Sequence, residues 1–338
     1  VGVGRYILAR LALTVPMLLI LLTVVFLILR VIPGDPCLAM LGGRNVGPEQ
    51  INSCRKALGV DRPVFVQYTA YVGSILRGDL GESIRSGLPV STELFERFPA
   101  TLELAVTGMI VGTAFGMLSG VYAATHADHI PDHAIRLFNI ASFAMPVFWI
   151  GLMFISIFAV RLGWLPVGGR IDPVAGASFE PVTRFYLIDT LLRRDLATFL
   201  DVVRHLILPA ITLGLVVSGF IGRMSRTSML EVLVRDYVTA ARAKGLSEGT
   251  VVRKHALRNA LIPIVTVIGL QFAILMGGAI LTETVYSWPG IARFLLDSID
   301  NRDFPAIQGT VVFIALFISA ANLAVDVIYA RLDPRVRY

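Results

Sequence analysis

Six stretches of this sequence are too long, too apolar and too poor in charge to face water. Residues 11–29, 137–160, 206–222, 259–282 and 304–325 contain no Asp, Glu, Lys or Arg, and residues 100–125 contain only Glu103. A hydrocarbon core ~30 Å thick is crossed by roughly 20 residues of helix. Lipid offers no partner for backbone N–H and C=O groups, so continuous runs of this length satisfy them internally as helices. The alternating pattern of a membrane barrel does not occur in them. The expected fold is therefore all-α, a polytopic membrane protein with six transmembrane helices. Composition agrees: 16% of residues are charged, against about 25% in soluble proteins, which argues against a water-soluble enzyme. Arg5 and Arg10 precede the first run, and Arg30-Val31-Ile32-Pro33-Gly34-Asp35 follows it instead of a small-residue cleavage site. It is expected to stay as an anchor.

The net charge of +6 acquires meaning once the charges are placed between the spans. With the N-terminus cytoplasmic, the inside segments hold 14 basic and 6 acidic residues, 8 of the basic ones between residues 223 and 258. The positive-inside rule then puts both termini in the cytoplasm. The basic excess reads as topology and contact with membrane lipid, not as nucleic-acid binding. The expected organisation is a first transmembrane helix at 6–31, an extracytoplasmic helical region at 32–99, a five-helix core at 100–329 with a cytoplasmic loop at 223–258, and a cytoplasmic tail at 330–338.

Gly108, Gly112, Gly116 and Gly120 recur every fourth residue in the second span, a small-residue stripe along which another backbone can approach. Pro16, Pro146, Pro209 and Pro263 fall within or at the edge of spans, where each removes a backbone hydrogen bond that neighbours or a cavity must compensate. Glu103, Arg161 and Asp326 sit near predicted span ends, where side chains are able to snorkel. So few intramembrane charges weigh against a proton- or sodium-coupled carrier.

Between the fourth and fifth spans, residues 236–244 read as a short helix with Asp236 in the first turn and Lys244 in the last, the order that suits the helix dipole. Gly245 is placed as its C-terminal cap and Ser247 as the N-cap of a second short helix. Ala240, Ala241 and Ala243 leave little side-chain bulk, so the helix suits a groove on another protein; a solvated basic loop is the other reading.

Here the sequence resembles a known family. Thr239-Ala240-Ala241-Arg242-Ala243-Lys244-Gly245 resembles the EAA signature of permease subunits of binding-protein-dependent ABC importers. The longer stretches Asp236 to Leu246 and His255 to Pro263 are similar to its dipeptide, oligopeptide and nickel branch. Ile32-Pro33-Gly34-Asp35-Pro36, Leu58-Gly59-Val60-Asp61, Gly78-Asp79-Leu80-Gly81, Leu162-Gly163-Trp164-Leu165-Pro166 and Glu283 to Gly290 extend the resemblance over essentially the whole chain. Two positions depart from the wider signature: Thr239 stands where Glu is usual, and His255-Ala256-Leu257-Arg258-Asn259 replaces the closing Ile-x-Leu-Pro. The resemblance implies an ATP-driven importer in which Asp236, Thr239, Ala240, Ala241, Arg242, Lys244, Gly245 and Leu246 contact an ATPase. It further implies a second homologous permease, two ATP-binding subunits or domains, an extracytoplasmic peptide-binding protein, and a bacterial or archaeal cytoplasmic membrane. The chain has no Gly-x-x-x-x-Gly-Lys-Ser/Thr loop, so ATP and Mg belong to the partners. No cofactor and no catalytic residue is assigned to this chain.

Residues 33–99, with 7 basic and 7 acidic residues, are expected to form a small helical cap, with helices at 55–58, 64–76 and 91–98. Phe65, Tyr68, Tyr71, Ile75 and Leu76 mark an apolar helix face. By resemblance, this is where the binding protein docks. Cys37 and Cys54 lie in this segment, in a compartment that permits disulfides, and either a bridge or two free thiols is compatible with the sequence. His126, Asp128, His129, Asp132 and His133 read as a polar turn broken by Pro131, and no metal site is assigned. Met145, Phe148, Trp149, Gln271 and Met276 are the candidate lining of a substrate pathway. The function read from the sequence is import of dipeptides or oligopeptides. Import of nickel or glutathione by the same architecture, or an ATP-independent secondary carrier, are the alternatives.

Overall fold

The computed structural model describes residues 3–31, 37, 47–58 and 61–332. Within them the chain is helical, and the only paired extended backbone is one isolated bridge between Glu82 and Pro89. Among the described residues, four helical stretches are long and apolar enough to cross a membrane: Val90–Thr125, Leu196–Leu233, Glu248–Met276 and Phe304–Val325. The first apolar run is the helix Val3–Val31.

The third expected span is not one straight helix. Ile130–Ala144 and Val147–Arg161 meet at an angle of 102°. The cause is local: Pro146 disfavours helical backbone at the residue before it, and Met145 is extended at φ −78°, ψ 135°. The second piece ends in a π-helical turn, Ile155–Arg161.

Three further expectations are corrected. The helix expected at 91–98 is the outer part of the second span, because Val90–Thr125 runs unbroken through Pro99. At ~1.5 Å per residue, its 36 residues far exceed a ~30 Å hydrocarbon core. The helix expected at 55–58 begins earlier, at Pro48. The second short helix after Gly245 is not separate: Glu248–Thr250 passes through a π-turn, Val251–Leu257, into Arg258–Gly278.

The chain divides into two compact units, one from the residues up to Pro99 with Gly290–Ala320, the other from Ala100–Pro289 with the residues from Ala321 on. The first unit has a core of Val90, Leu94, Ile291 and Ala306, flanked by Phe98, Phe294 and Phe313. Its second contact pairs Phe26 with the rings of Tyr68 and Tyr71, at 5.3 and 5.7 Å between centroids. The Thr23 and Tyr68 hydroxyls lie 2.7 Å apart. The apolar face expected on this helix is thus only partly used, since Phe65 and Leu76 are 75% and 80% exposed.

In the second unit the Leu196–Leu233 helix is the most enclosed span, with 72% of its most apolar window buried against 28–39% in the other candidate spans. Its buried face includes Thr212, Gly214, Ser218, Gly219, Gly222 and Ser225, small residues that let helices pack without a hydrophobic drive between them. The glycine stripe fits against this face. A Cβ at Gly112 would stand 2.7 Å from the Gly214 carbonyl oxygen, and one at Gly116 2.9 Å from that of Ser218. Glycine is required there by backbone proximity.

Candidate functional site

The loop between the enclosed helix and the next span is built on a small apolar footing. Asp236–Ala243 forms an eight-residue helix, too short to be stable alone in water. It is held by Val238, Ala241 and Val251, all buried, with Val232 packed against them. Its end is closed as the sequence suggests. Gly245 adopts φ +78°, its N–H donates to the Arg242 carbonyl at 2.9 Å, and the Leu246 N–H donates to that of Ala241. A left-handed residue at this position turns the chain sharply, and glycine takes it without strain.

This footing decides which residues remain available. Val238 and Ala241 face inward, whereas Asp236, Thr239, Ala240, Arg242, Lys244, Gly245 and Leu246 are exposed. Ala241 therefore supports the helix from within, and the outer face is carried by the other seven residues together with Tyr237, 43% exposed, which the sequence reading passed over. Arg242 is tethered: its Nη2 and Nε donate to Glu248 at 2.7 and 3.1 Å, and its Nη1 donates to the Leu233 carbonyl. The Glu248 carboxylate raises the Arg242 pKa further above its usual range. The arrangement is a rigid, mostly polar knob with a flat alanine patch, suited to pressing into a complementary groove.

At the opposite end of this unit lies a polar cluster that the sequence did not reveal. Glu103, expected to snorkel, is 5% exposed. Its Oε2 accepts from Arg170 Nε and Nη2 at 3.0 and 2.6 Å, and its Oε1 accepts from the Leu187 N–H at 2.8 Å. Arg170 also lies 3.8 Å from the Tyr186 ring centroid. Burial of the carboxylate is made tolerable by this pairing rather than by reach to water. Beside it, Thr101 donates to buried Glu283 at 2.6 Å, and Trp288 Nε1 donates to the Ala100 carbonyl at 2.9 Å. The Tyr286 hydroxyl lies 2.8 Å from that of Thr212. In the 283–290 stretch noted in the sequence, Glu283, Tyr286 and Trp288 are thus buried anchors. A pair such as Glu103 and Arg170 leaves no local trace, since the partners are 67 residues apart.

The five residues expected to line a pathway divide. Met145, Phe148 and Trp149 stand at the break in the third span and are 41–45% exposed, whereas Gln271 and Met276 are buried in the Arg258–Gly278 helix. Cys37 is buried and is not a free thiol; the side chain of Cys54 lies outside the described residues. In the His- and Asp-rich turn, buried Asp132 binds Arg226 and His133 contacts Arg136.

Comparison with known proteins gives a consistent result. The family described as "Binding-protein-dependent transport system inner membrane component" matches residues 112–338, and its N-terminal companion family matches residues 3–105. A di/tripeptide transport system permease protein, DppB, of Pseudomonas aeruginosa is 46% identical, covering 98% of both chains. The dipeptide transport permease DppB of Escherichia coli K12 is 44% identical over 99% of both. The glutathione transport permease GsiC of Salmonella choleraesuis is 40% identical over 99% of both. Among solved structures, an inward-facing MetNI methionine ABC transporter shares the fold at a TM-score of 0.51, with 17% identity, covering 69% of this chain and 93% of that one.

Proposed function

This chain belongs to the binding-protein-dependent transport system inner membrane components, and from that membership we propose the detailed mechanism of a peptide importer. It is a multi-pass protein of the bacterial cytoplasmic membrane and the permease of a peptide importer, a reading supported by dipeptide permeases 44–46% identical over its full length. The observation that carries the mechanism is the exposed helix Asp236–Ala243, anchored from inside by Val238 and Ala241. In the proposed assembly its outer face, with Asp236, Thr239, Ala240, Arg242, Lys244, Gly245 and Leu246, seats in an ATP-binding subunit. Closure of the ATPase pair then moves this permease against a second, homologous one. For that to drive transport, ATP must bind one global state more tightly than the other.

Both termini and the coupling loop lie in the cytoplasm in this reading, and the segment after the first span receives an extracytoplasmic binding protein. Met145, Phe148 and Trp149 at the broken third span, together with Gln271 and Met276, are assigned to the pathway. A Cys37–Cys54 bridge staples the external segment. The 40% identical glutathione permease supports a second substrate reading, since glutathione is itself a tripeptide.

Vesicles containing the complete transporter test the proposal. Labelled dipeptide uptake should require ATP, Mg and binding protein, and should fall when Ala240 is replaced by Glu on the outer helix face. Uptake that persists without ATP overturns ATP coupling, and uptake of glutathione alone selects the second substrate reading.

A further inference from the structure

A cavity of about 240 Å³ opens between the Ile130–Ala144 and Leu196–Leu233 helices and is lined by Arg136, Arg223, Arg226, Asn139, Phe143 and Phe220. Three arginines meet here around buried Asp132, with Asp128 also near enough to act on Arg226. Asp132 is fully buried and is engaged by Arg226 through two hydrogen bonds of 2.6 and 2.7 Å, with Arg136 Nε 3.7 Å away. Arg223 lies 5.7 Å from the Phe220 ring centroid, and no carboxylate partner for it occurs among the described residues. Arg136 thus shares Asp132 with Arg226, and Arg223 is left without a carboxylate.

Asn139 lines the cavity but turns its side-chain amide against Gly222, where an added Cβ would stand 2.7 Å from Nδ2 and 3.1 Å from Oδ1. The lip beside it is apolar, with Ile140 and Phe143 64% and 55% exposed. Cations and an exposed apolar lip on one edge match one chemical class.

We propose that this cavity holds the headgroup of an anionic phospholipid from the cytoplasmic leaflet. The phosphate sits between Arg136 and Arg223, and an acyl chain follows Ile140 and Phe143. Basic pockets between helices on the cytoplasmic side are the expected place for such recognition, because that leaflet carries the negative surface potential. A free phosphate uses the arginines and leaves the apolar lip unexplained. The inference goes beyond peptide transport and rests only on this face being cytoplasmic.

The test is native mass spectrometry of the transporter purified with its partner subunits. It is titrated with phosphatidylglycerol or with phosphatidylcholine of the same acyl chains. Phosphatidylglycerol should be retained preferentially, and Arg136→Gln with Arg223→Gln should weaken it about thirtyfold, roughly fivefold for each basic side chain removed near an anionic surface. Arg226 is left intact because it holds Asp132. The double lysine variant should keep most of the binding. Equal retention of both lipids, binding indifferent to the double glutamine variant, or displacement by millimolar inorganic phosphate would each overturn the proposal. So would a cross-linker at position 223 that captures the second permease instead of lipid.

Discussion

The footing of the Asp236–Ala243 helix makes a prediction that separates support from contact. Val238 is fully buried against Ala241, Val251 and Val232 and offers nothing to a partner. Val238→Ala removes the equivalent of two methylene groups, about 1.6 kcal/mol at ~0.8 kcal/mol each, and a residual cavity raises this to about 2 kcal/mol. Because an eight-residue helix has little stability of its own, that loss falls on local opening of the loop and shifts its closed-to-open ratio about thirtyfold. Hydrogen exchange should report faster exchange at the Lys244, Gly245 and Leu246 amides, which close the helix end, with little change in the Leu196–Leu233 helix. In vesicles, peptide uptake per ATP hydrolysed should fall even though the outer face is chemically unchanged. Unaltered exchange at these three amides would show that the loop is not held by this footing, and unaltered coupling despite faster exchange would show that rigidity of the knob is not what transmits force.

Three other outcomes follow from the structure. Gly112→Ala places a Cβ 2.7 Å from the Gly214 carbonyl oxygen, so the two helices must separate, at a cost of about 1–3 kcal/mol; thermal unfolding of the purified protein should register it, while Gly249→Ala, with open space around it, serves as the control. Removing Glu103 alone should destabilise by about 3–5 kcal/mol, because Arg170 is left buried and unpaired; Glu103→Leu with Arg170→Met should recover much of that loss, and a double variant as unstable as Glu103→Leu would refute a simple ion pair. Reduction of the proposed Cys37–Cys54 bridge should lower stability by roughly 3 kcal/mol for a loop of this length, and non-reducing peptide mapping that finds either thiol free would end that assignment.

Long uncharged runs, the Gly108–Gly112–Gly116–Gly120 stripe and the Asp236 to Gly245 helix with its cap are features of local order, and a chain in lipid must satisfy its backbone locally. They were therefore legible in the sequence, as were the family motifs. The turn at Gly245 was legible too, since the residue read as a cap takes positive φ. Only tertiary structure decided the rest. It turned Ala241 inward and Ala240 outward, because burial depends on what Val251 and Val232 place beneath the helix. It bent the third span by 102° at Pro146, an angle that proline permits and packing selects. It also joined Glu103 to Arg170 and Asp132 to Arg226 across 67 and 94 residues. Pairing of buried charge is a requirement of the folded interior, where a carboxylate without a cation is costly, and nothing along the chain specifies which distant arginine will meet it.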